Sequence, residues 1–237
     1  METLPAAGRR HLLLMNPNTD DAVTAMMGDI ARAALLETEA RSAFSFATHT
    51  ARRGARLITD EPALAEAAQG LIEDVEAIDR SGLAGVIIGA FGDPALLQIR
   101  ARLDIPVTGL AEAAMAEAAR VACNTFPLGS GRFAVVTTTP RLVASIEATA
   151  RRYGHQPWFA GVELTPGEPA ALMSDPRALE NAMLQACQRA IAERGATAIV
   201  IGGGPLARVA SALSQQLAIP VIAPIPAAVR RLITQIR

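Results

Sequence analysis

Four short loops in this 237-residue chain combine glycine or proline with polar side chains, and each follows an apolar segment directly. They are Asn16–Thr19, Gly89–Pro94, Thr137–Pro140 and Gly202–Pro205. Side-chain amides, hydroxyls and backbone N–H groups of this kind bind the oxygens of carboxylates and ureides. The loops therefore predict a site for a small, oxygen-rich molecule, with chemistry based on polarising one of its oxygens.

Two of the loops supply side-chain donors for such a molecule. We expect Asn16, Asn18 and Thr19 in one loop and Thr137 and Thr138 in another to contact a substrate. The alternative is that these residues only cap the helices that follow, because asparagine and threonine are common at helix starts. The sequence leaves both interpretations open.

The other two loops are rich in glycine, which allows backbone N–H groups to approach a ligand closely. Further substrate contacts are expected at Ala90, Phe91, Gly92, Gly202, Gly203 and Gly204. A tight strand-to-helix turn is the alternative role of the three consecutive glycines. Their spacing differs from the dinucleotide-binding fingerprint, so a nicotinamide cofactor is not expected.

Two residues are candidates for moving a proton. Asp93 is the only carboxylate in the four loops, and His49 ends another apolar segment. A base or acid that works at neutral pH needs a suitable pKa, which for Asp93 means a pKa raised by burial. The alternative for Asp93, which precedes Pro94, is to cap the next helix.

For charged residues near these positions, a functional role and a structural role are again both possible from the sequence. Arg52, Arg53 and Arg56 follow His49 and could clamp a substrate carboxylate, although an exposed basic loop is the alternative. Glu112 is expected to favour the start of its helix.

The elements that must position these residues are eight short apolar strands that alternate with helices. We predict strands near 11–15, 42–48, 84–89, 105–109, 132–137, 158–163, 196–201 and 219–222. This rhythm is typical of parallel sheets covered by helices, and it predicts an α/β fold. We expect two pseudo-symmetric lobes, each a four-stranded parallel sheet flanked by helices, with the ligand site between them.

An internal duplication supports the two-lobe interpretation. Residues 84–107 align with residues 197–221, and the alignment makes Ala90 and Gly203 equivalent. Since ligands of open α/β sheets bind at the carboxyl ends of strands, the four loops are expected to converge. The predicted first lobe is 1–110 plus the C-terminal helix at about 223–237, and the second lobe is 111–222.

Composition excludes several classes of function. All 22 basic residues are arginine, so enzymes that need a lysine amine, such as pyridoxal-phosphate enzymes and P-loop proteins, are ruled out. A net charge of -1 and 3% aromatic residues argue against nucleic-acid binding. The three histidines lack metal-ligand spacing, and Cys123 and Cys187 read as buried structural thiols in helices.

The same features set expectations for cofactors, partners and location. We expect no cofactor and no metal, and a small molecule as the ligand. The apolar run after the first arginines is too short for a signal sequence, and no segment reaches membrane-spanning length, so a cytoplasmic protein without a membrane partner is predicted. The apolar composition is consistent with a homo-oligomer.

Several motifs resemble one enzyme family in the same order along the chain. They are NPNT after the first strand, GAFGDPALL, TGLAEAAM, RFAVVTTTPR and IGGGPL. Together they resemble the hydantoin and allantoin racemases of the Asp/Glu racemase superfamily. The resemblance covers nearly the whole chain and implies two α/β lobes and a cofactor-free inversion at a carbon next to a carbonyl.

The resemblance also implies two catalytic cysteines, one thiolate removing a proton and one thiol returning it from the opposite face. By resemblance these belong at the positions of Ala90 and Gly203, so neither thiol is present. The sequence therefore predicts a racemase-superfamily enzyme whose mechanism does not use two thiols. Alternatives are a decarboxylase or other lyase of the same superfamily and a member that binds a small molecule without catalysis, including one from a lineage that lost activity.

Overall fold

The computed structural model of the chain describes residues 10–124 and 129–236. Within these residues the chain forms two four-stranded sheets whose strands are all parallel. Helices lie between the strands in sequence, and the predicted α/β fold with two similar parallel sheets is confirmed. Residues 1–9, which contain part of the segment used for the signal-sequence prediction, lie outside the described residues.

The first sheet contains the four strands predicted in the first half of the chain. They are β1 (Arg10–Asn16), β2 (Phe44–Thr50), β3 (Leu83–Ile88) and β4 (Val107–Gly109). Their order in the sheet is β2-β1-β3-β4. Met15 is paired with His49 of β2 on one side and with Ile88 of β3 on the other.

The second sheet repeats this arrangement. Its strands are β5 (Phe133–Thr137), β6 (Phe159–Leu164), β7 (Ala198–Ile201) and β8 (Val221–Ile222). The order is β6-β5-β7-β8, which is the order of the first sheet with each strand replaced by its duplicate. The internal duplication seen in the sequence is therefore a duplication of sheet topology.

The helices connect and cover the strands. In the first half they are α1 (Asp21–Leu36), α2 (Glu61–Ala77), α3 (Leu96–Arg100) and α4 (Leu110–Cys123). In the second half they are α5 (Val143–Arg152), α6 (Pro169–Ser174), α7 (Pro176–Arg194), α8 (Ala210–Gln216) and α9 (Pro224–Ile236). None of the helices within residues 10–124 and 129–236 combines the length and apolarity needed to cross a membrane.

Local sequence signals account for the helix ends. Asp175 accepts hydrogen bonds from the first-turn N–H groups of α7, Pro176 occupies its first position, and Gly195 ends it with φ 65°. This is the pattern of a side-chain cap at the start and a left-handed residue at the end of a helix. Local sequence therefore accounts for both ends of this helix.

The strands at the centre of each sheet are buried on both faces. Every residue of β3 and of β5 is buried, as expected for parallel strands covered by helices on each side. The C-terminal helix α9 packs on β3. A Cβ at Gly85 of β3 would lie only 2.9 Å from Leu232 of this helix. Glycine at this position therefore allows the close packing of α9 on the strand.

The chain divides into two compact units. One comprises the chain up to Ala113 together with the segment from Ile225, and the other comprises Ala114–Pro224. The sequence placed the corresponding boundaries after residue 110 and at about residue 223. In each sheet the first strand lies between the second strand and the third strand. A topological switch point therefore lies between β1 and β3 in the first sheet and between β5 and β7 in the second. Ligands of open α/β sheets bind beside the carboxyl ends of the strands at such points.

A close backbone approach holds each switch point together, and it gives a testable prediction. A Cβ on Gly89 would lie 2.8 Å from the Met15 carbonyl oxygen, and one on Gly202 would lie 2.6 Å from Val135 Cγ1. We expect Gly89→Ala and Gly202→Ala each to lower the free energy of unfolding by about 1–3 kcal/mol, because backbone or packed side chains must shift. Urea unfolding measures the change.

The matched control is Gly70→Ala in helix α2. A Cβ there meets no atom closer than 3.4 Å, and alanine favours a helix over glycine by about 1 kcal/mol. We expect this variant to be as stable as the parent or more so. Equal destabilisation by all three substitutions would contradict the close approach at the two switch points.

Candidate functional site

In the first unit, the loop after β1 is organised around the side chain of Asn16. Asn16 is fully buried, and its Nδ2 donates to Asn18 Oδ1 and to Thr24 Oγ1, both at 2.8 Å. Its Oδ1 accepts from the Asn18 N–H at 3.2 Å. The amide of Asn16 therefore shapes the loop from within, and its contact with a substrate stays a prediction.

The cap of helix α1 differs from the one that the sequence suggested. Asp20, and neither Asn18 nor Thr19, is the capping residue, since its Oδ1 accepts from the N–H groups of Ala22 and Val23. Asn18 Oδ1 accepts from the Asp20 N–H at 3.0 Å and so holds this cap in place. An acidic cap is also favoured by the helix dipole.

The segment after β2 packs against the Asn16–Thr19 loop. The Thr19 N–H donates to the Ala55 carbonyl at 3.2 Å, and its hydroxyl donates to the Gly54 carbonyl at 3.4 Å. Arg56 Nη2 donates to Asp20 Oδ2 at 2.8 Å. Thr19 therefore joins two loops at the carboxyl edge of the first sheet.

The arginines of this segment all have carboxylate partners. Besides the Arg56–Asp20 pair, Arg53 Nη2 lies 2.8 Å from Glu73 Oε1. Arg52 Nε lies 2.5 Å from Asp74 Oδ1, and its backbone N–H donates to Asp74 Oδ2. In the structure these guanidinium groups anchor their own segment, which favours the non-clamping interpretation.

Asp74 is a site residue that the sequence did not reveal. Its residue exposure is 2%, it lies on the buried face of α2, and His49 Nε2 lies 2.9 Å from its Oδ2. Burial raises the pKa of Asp74, but hydrogen bonds from His49 and Arg52 lower it more, so the pKa stays below its ordinary value. A charged residue on the apolar stripe of a helix was the available signal.

The Asp74 carboxylate therefore lies beside the His49 ring at ion-pair distance. His49 is at the carboxyl end of β2, and its side chain is 17% exposed. A carboxylate beside one ring nitrogen favours one orientation of an imidazole. This is the arrangement that a proton-transferring histidine requires, and it is also compatible with a purely structural ion pair.

Asp93 caps a helix, but not the one that follows it directly. Its Oδ1 accepts from the Ala111 N–H at 2.8 Å and its Oδ2 from the Glu112 N–H at 2.7 Å. These donors belong to the first turn of α4, whereas the sequence suggested a cap for the helix after Pro94. Both carboxylate oxygens are thus engaged at a helix N-terminus, where negative charge is favoured.

The loop that carries Asp93 has an unusual backbone. Asp93 and Ala95 have φ values of 52° and 57°, and Gly92 has φ 119°. The left-handed conformation destabilises a residue with a Cβ, so other contacts must hold Asp93 and Ala95 in place. The bonds from α4 supply them, and Gly109 leaves room because a Cβ there would overlap the Asp93 carboxylate.

Glu112 also has a larger role than a helix start. It is 9% exposed, and its Oε2 accepts from the Thr108 hydroxyl at 3.0 Å and from Arg100 Nη2 at 2.9 Å. Arg231 of α9 lies 3.4 Å from the same oxygen. Glu112 therefore links the start of α4 to the C-terminal helix within the first unit.

In the second unit, Thr137 occupies the position of Asn16. Its carbonyl accepts from the Thr165 N–H at 3.0 Å, as the Asn16 carbonyl accepts from the Ala51 N–H at 2.9 Å. The buried Thr137 hydroxyl donates to the Gly202 carbonyl at 3.0 Å. Thr137 therefore joins the two loops of its own switch point.

The same comparison fixes the equivalence of Ala90 and Gly203. The Gly89 N–H donates to the Met15 carbonyl, and the Gly202 N–H donates to the Val136 carbonyl, both at 2.8 Å. Ala90 and Gly203 are the next residues in each case, so both follow the third strand of their sheet at a switch point. The structure thus supports the pairing of these two positions that the sequence duplication indicated.

The remaining predicted contacts lie in the same loops. Thr138, 5% exposed, follows Thr137, and Gly203 and Gly204 precede a short 3-10 helix at Pro205–Val209. A Cβ at Gly203 would lie 3.2 Å from Leu206, so a side chain there requires only a small movement of Leu206. Substrate contacts at all of these residues stay predictions.

Glu163 anchors the strand beside Thr137 to helix α7. It accepts from Arg189 Nε and Arg194 Nε, both at 2.9 Å, and Arg189 also donates to the Leu164 carbonyl. Burial raises the pKa of Glu163, but the hydrogen bonds from Arg194 and Arg189 lower it more, leaving it below its ordinary value. The end of β6 is therefore held firmly at the carboxyl edge.

The two cysteines do not lie in the switch-point loops. Cys187 is buried in the middle of α7, and burial raises the pKa of its thiol to about 12. The predicted burial of Cys123 is wrong. Cys123 is the last residue of α4, and its side chain is exposed there. In the described part of the chain, no group of three or more His, Cys, Asp or Glu side chains is arranged to hold a metal ion.

The position of Asp93 predicts a positioning role that can be tested by mutation. We expect Asp93→Asn to lower the free energy of unfolding by about 1–3 kcal/mol, since asparagine has one acceptor oxygen where two N–H groups need one each. Asp175→Asn is the matched control, because Asp175 Oδ1 alone accepts from both Arg177 and Ala178. Chemical denaturation of both variants measures the difference, and similar small losses would contradict the two-oxygen cap.

Comparison with known proteins identifies relatives over most of the chain. Residues 12–232 match the family described as Asp/Glu/Hydantoin racemase. The hydantoin racemase of Paenarthrobacter aurescens is 31% identical over 220 residues, which are 92% of this chain and 88% of that protein. Such coverage includes both switch points.

Solved structures agree with this result. The allantoin racemase from Klebsiella pneumoniae superposes with a TM-score of 0.84 at 32% identity, covering 94% of this chain and 86% of that chain. Arylmalonate decarboxylase, at 12% identity and a TM-score of 0.57, covers 95% of this chain and 92% of its own and shares the fold alone. The chain therefore belongs to the Asp/Glu/Hydantoin racemase family.

Proposed function

We propose that this protein is a cofactor-independent enzyme of isomerase type that acts at a carbon next to a carbonyl in a small amino-acid derivative, cyclic ureide or carboxylate. One observation carries the proposal: the two switch points have equivalent loops built from glycine, hydroxyl and amide groups. Relatives named as hydantoin and allantoin racemases support ureides as the substrate class.

The chemistry starts with removal of a proton from the carbon beside a carbonyl. Negative charge then develops on the carbonyl oxygen, and donors aimed at that oxygen lower the barrier. The Thr137 hydroxyl donates to Gly202, which leaves the backbone N–H of Gly203 and the Thr138 hydroxyl as the donors that fit the role best. These groups stabilise an enolate-like intermediate without a metal or cofactor.

The proton carrier is not a pair of thiols at the switch points, because Ala90 and Gly203 stand there. Of the two candidates from the sequence, Asp93 has both oxygens hydrogen-bonded to α4 and would lose one of these bonds on protonation. His49 is held by Asp74 and has a second ring nitrogen. We assign removal of the proton to His49, its return from the opposite face of the carbon to water, and a positioning role to Asp93.

Two alternatives belong to different reaction classes. A decarboxylase would form the same enolate by losing carbon dioxide, so it needs the same oxygen donors and an acid that protonates the carbon, but no base that removes a carbon-bound proton. A non-catalytic member would bind the molecule at the same loops without transferring a proton. His49 beside a buried carboxylate favours an enzyme over the non-catalytic member, and only the isomerase uses such a group both to remove and to return a proton.

Proton exchange in heavy water tests the proposal. We expect the protein to exchange the carbon-bound proton of at least one of a set of 5-substituted hydantoins, allantoin and small dicarboxylates faster than buffer does, as followed by NMR. His49→Gln should slow this exchange by about 100-fold or more, because general acid–base catalysis contributes at least that much. His11→Gln, at the amino end of β1, is the matched control and should leave the rate unchanged.

Other outcomes decide among the alternatives. Release of carbon dioxide from a dicarboxylate without proton exchange would establish the decarboxylase. Ligand-induced thermal stabilisation with neither exchange nor turnover would establish the non-catalytic member. Exchange that His49→Gln leaves unaffected would retain the isomerase and overturn the assignment of His49.

A further inference from the structure

Thr165 lies at the carboxyl edge of the second sheet, directly beside the predicted donors. It follows the last residue of β6, and its N–H donates to the Thr137 carbonyl at 3.0 Å. Thr137 pairs with Leu164 in the sheet register, so continuing the register by one residue sets Thr138 next to Thr165. Two threonines from neighbouring strands therefore end at this edge together.

The Thr165 hydroxyl is buried without a hydrogen-bond partner among the residues that the structure describes. The residue is 8% exposed, and its Oγ1 is one of few buried side-chain polar atoms in this state. A buried hydroxyl without a partner destabilises the folded protein, because it has lost its bonds to water and gained nothing. Folding alone therefore gives no reason for a hydroxyl here.

Most of the other buried threonines behave differently. Four of them donate to a protein oxygen, namely Thr24 to Asp20, Thr108 to Glu112, Thr137 to Gly202 and Thr149 to Ser145. Burial of threonine in this fold thus normally comes with a bond for its hydroxyl. Thr165 departs from this pattern at the edge of the sheet where a ligand is expected.

The first unit provides an internal comparison. Ala51 occupies the position that corresponds to Thr165, because its N–H donates to the Asn16 carbonyl as that of Thr165 donates to Thr137. Ala51 is 4% exposed, so the position is buried in both units. Since the first unit forms the same sheet with a methyl group there, the Thr165 hydroxyl is not needed to build the fold.

We propose that Thr165 is a substrate-binding residue whose hydroxyl donates a hydrogen bond to a carbonyl or carboxylate oxygen of the bound molecule. The inference rests on the proposed function and adds a residue that none of the sequence motifs contains. The Thr165 hydroxyl has no hydrogen bond within the described residues of the free protein and forms one when the substrate oxygen binds. Specificity follows, since a molecule without an oxygen at this point leaves the hydroxyl buried and unpaired.

The test compares stability and ligand binding in the same set of variants. Thr165→Val removes the hydroxyl and keeps the shape, Thr165→Ser keeps a hydroxyl, and Thr149→Val is a control that removes a buried hydroxyl from α5. Tm is measured without ligand, and Kd is measured for a 5-substituted hydantoin, allantoin and malonate. The three probes distinguish a ureide oxygen from a carboxylate oxygen.

We expect Thr165→Val to have a Tm equal to or higher than that of the parent and to bind the preferred probe about tenfold more weakly. Thr165→Ser should retain most of the affinity, and Thr149→Val should bind like the parent. A hydroxyl with a structural role would instead lower Tm when removed and leave Kd unchanged.

The outcomes separate this inference from the proposed function. Unchanged affinity of Thr165→Val for every probe that the parent binds overturns the role of Thr165 and leaves the proposed function standing. If the parent binds none of the probes, the proposed substrate class fails, and the Tm comparison alone decides on Thr165. A clear drop in Tm on removal of the hydroxyl then overturns the inference, and an unchanged or raised Tm supports it.

Discussion

The structure depends on one close approach that occurs twice, once in each sheet. A glycine N–H at the end of the third strand donates to the last carbonyl but one of the first strand, Gly89 to Met15 and Gly202 to Val136. A Cβ at either glycine would collide with the neighbouring strand. The bond extends the pairing of the two strands to the switch point and fixes where the next residue, Ala90 or Gly203, leaves the sheet.

The two units use this common frame differently. In the first, polar groups near the edge bond to one another: Asn16 to its own loop, Asp93 to α4, and Asp74 to His49 and Arg52. These contacts stabilise the strained backbone at Asp93 and place a carboxylate beside the His49 ring. In the second unit the edge is built from hydroxyls and glycines, and the Thr165 hydroxyl has no bond within the described residues. In the proposed reaction the first unit supplies the proton carrier, and the second supplies donors to an oxygen.

Much of this arrangement was predictable from the sequence. Apolar runs located all eight strands, and because parallel strands bring their carboxyl ends to one edge, the four loops could be assigned to the switch points. Other features depend on contacts between distant segments. Asp93 reaches a helix that begins at Leu110, and the partner of His49 lies on α2, 25 residues further along the chain. Thr165 belongs to none of the sequence motifs. It stands out only in the folded structure, where its hydroxyl is buried without a hydrogen-bond partner among the described residues.

Installing thiols at the two equivalent positions tests the central claim most directly. The double variant Ala90→Cys with Gly203→Cys, which needs only a small movement of Leu206, should be folded and should racemise a single enantiomer of a 5-substituted hydantoin, as followed by polarimetry. Each single variant supplies one thiol and should fall well below the double variant. A folded double variant that binds the hydantoin yet racemises it no faster than the parent would contradict the prediction that Ala90 and Gly203 stand at the positions of the family's two thiols.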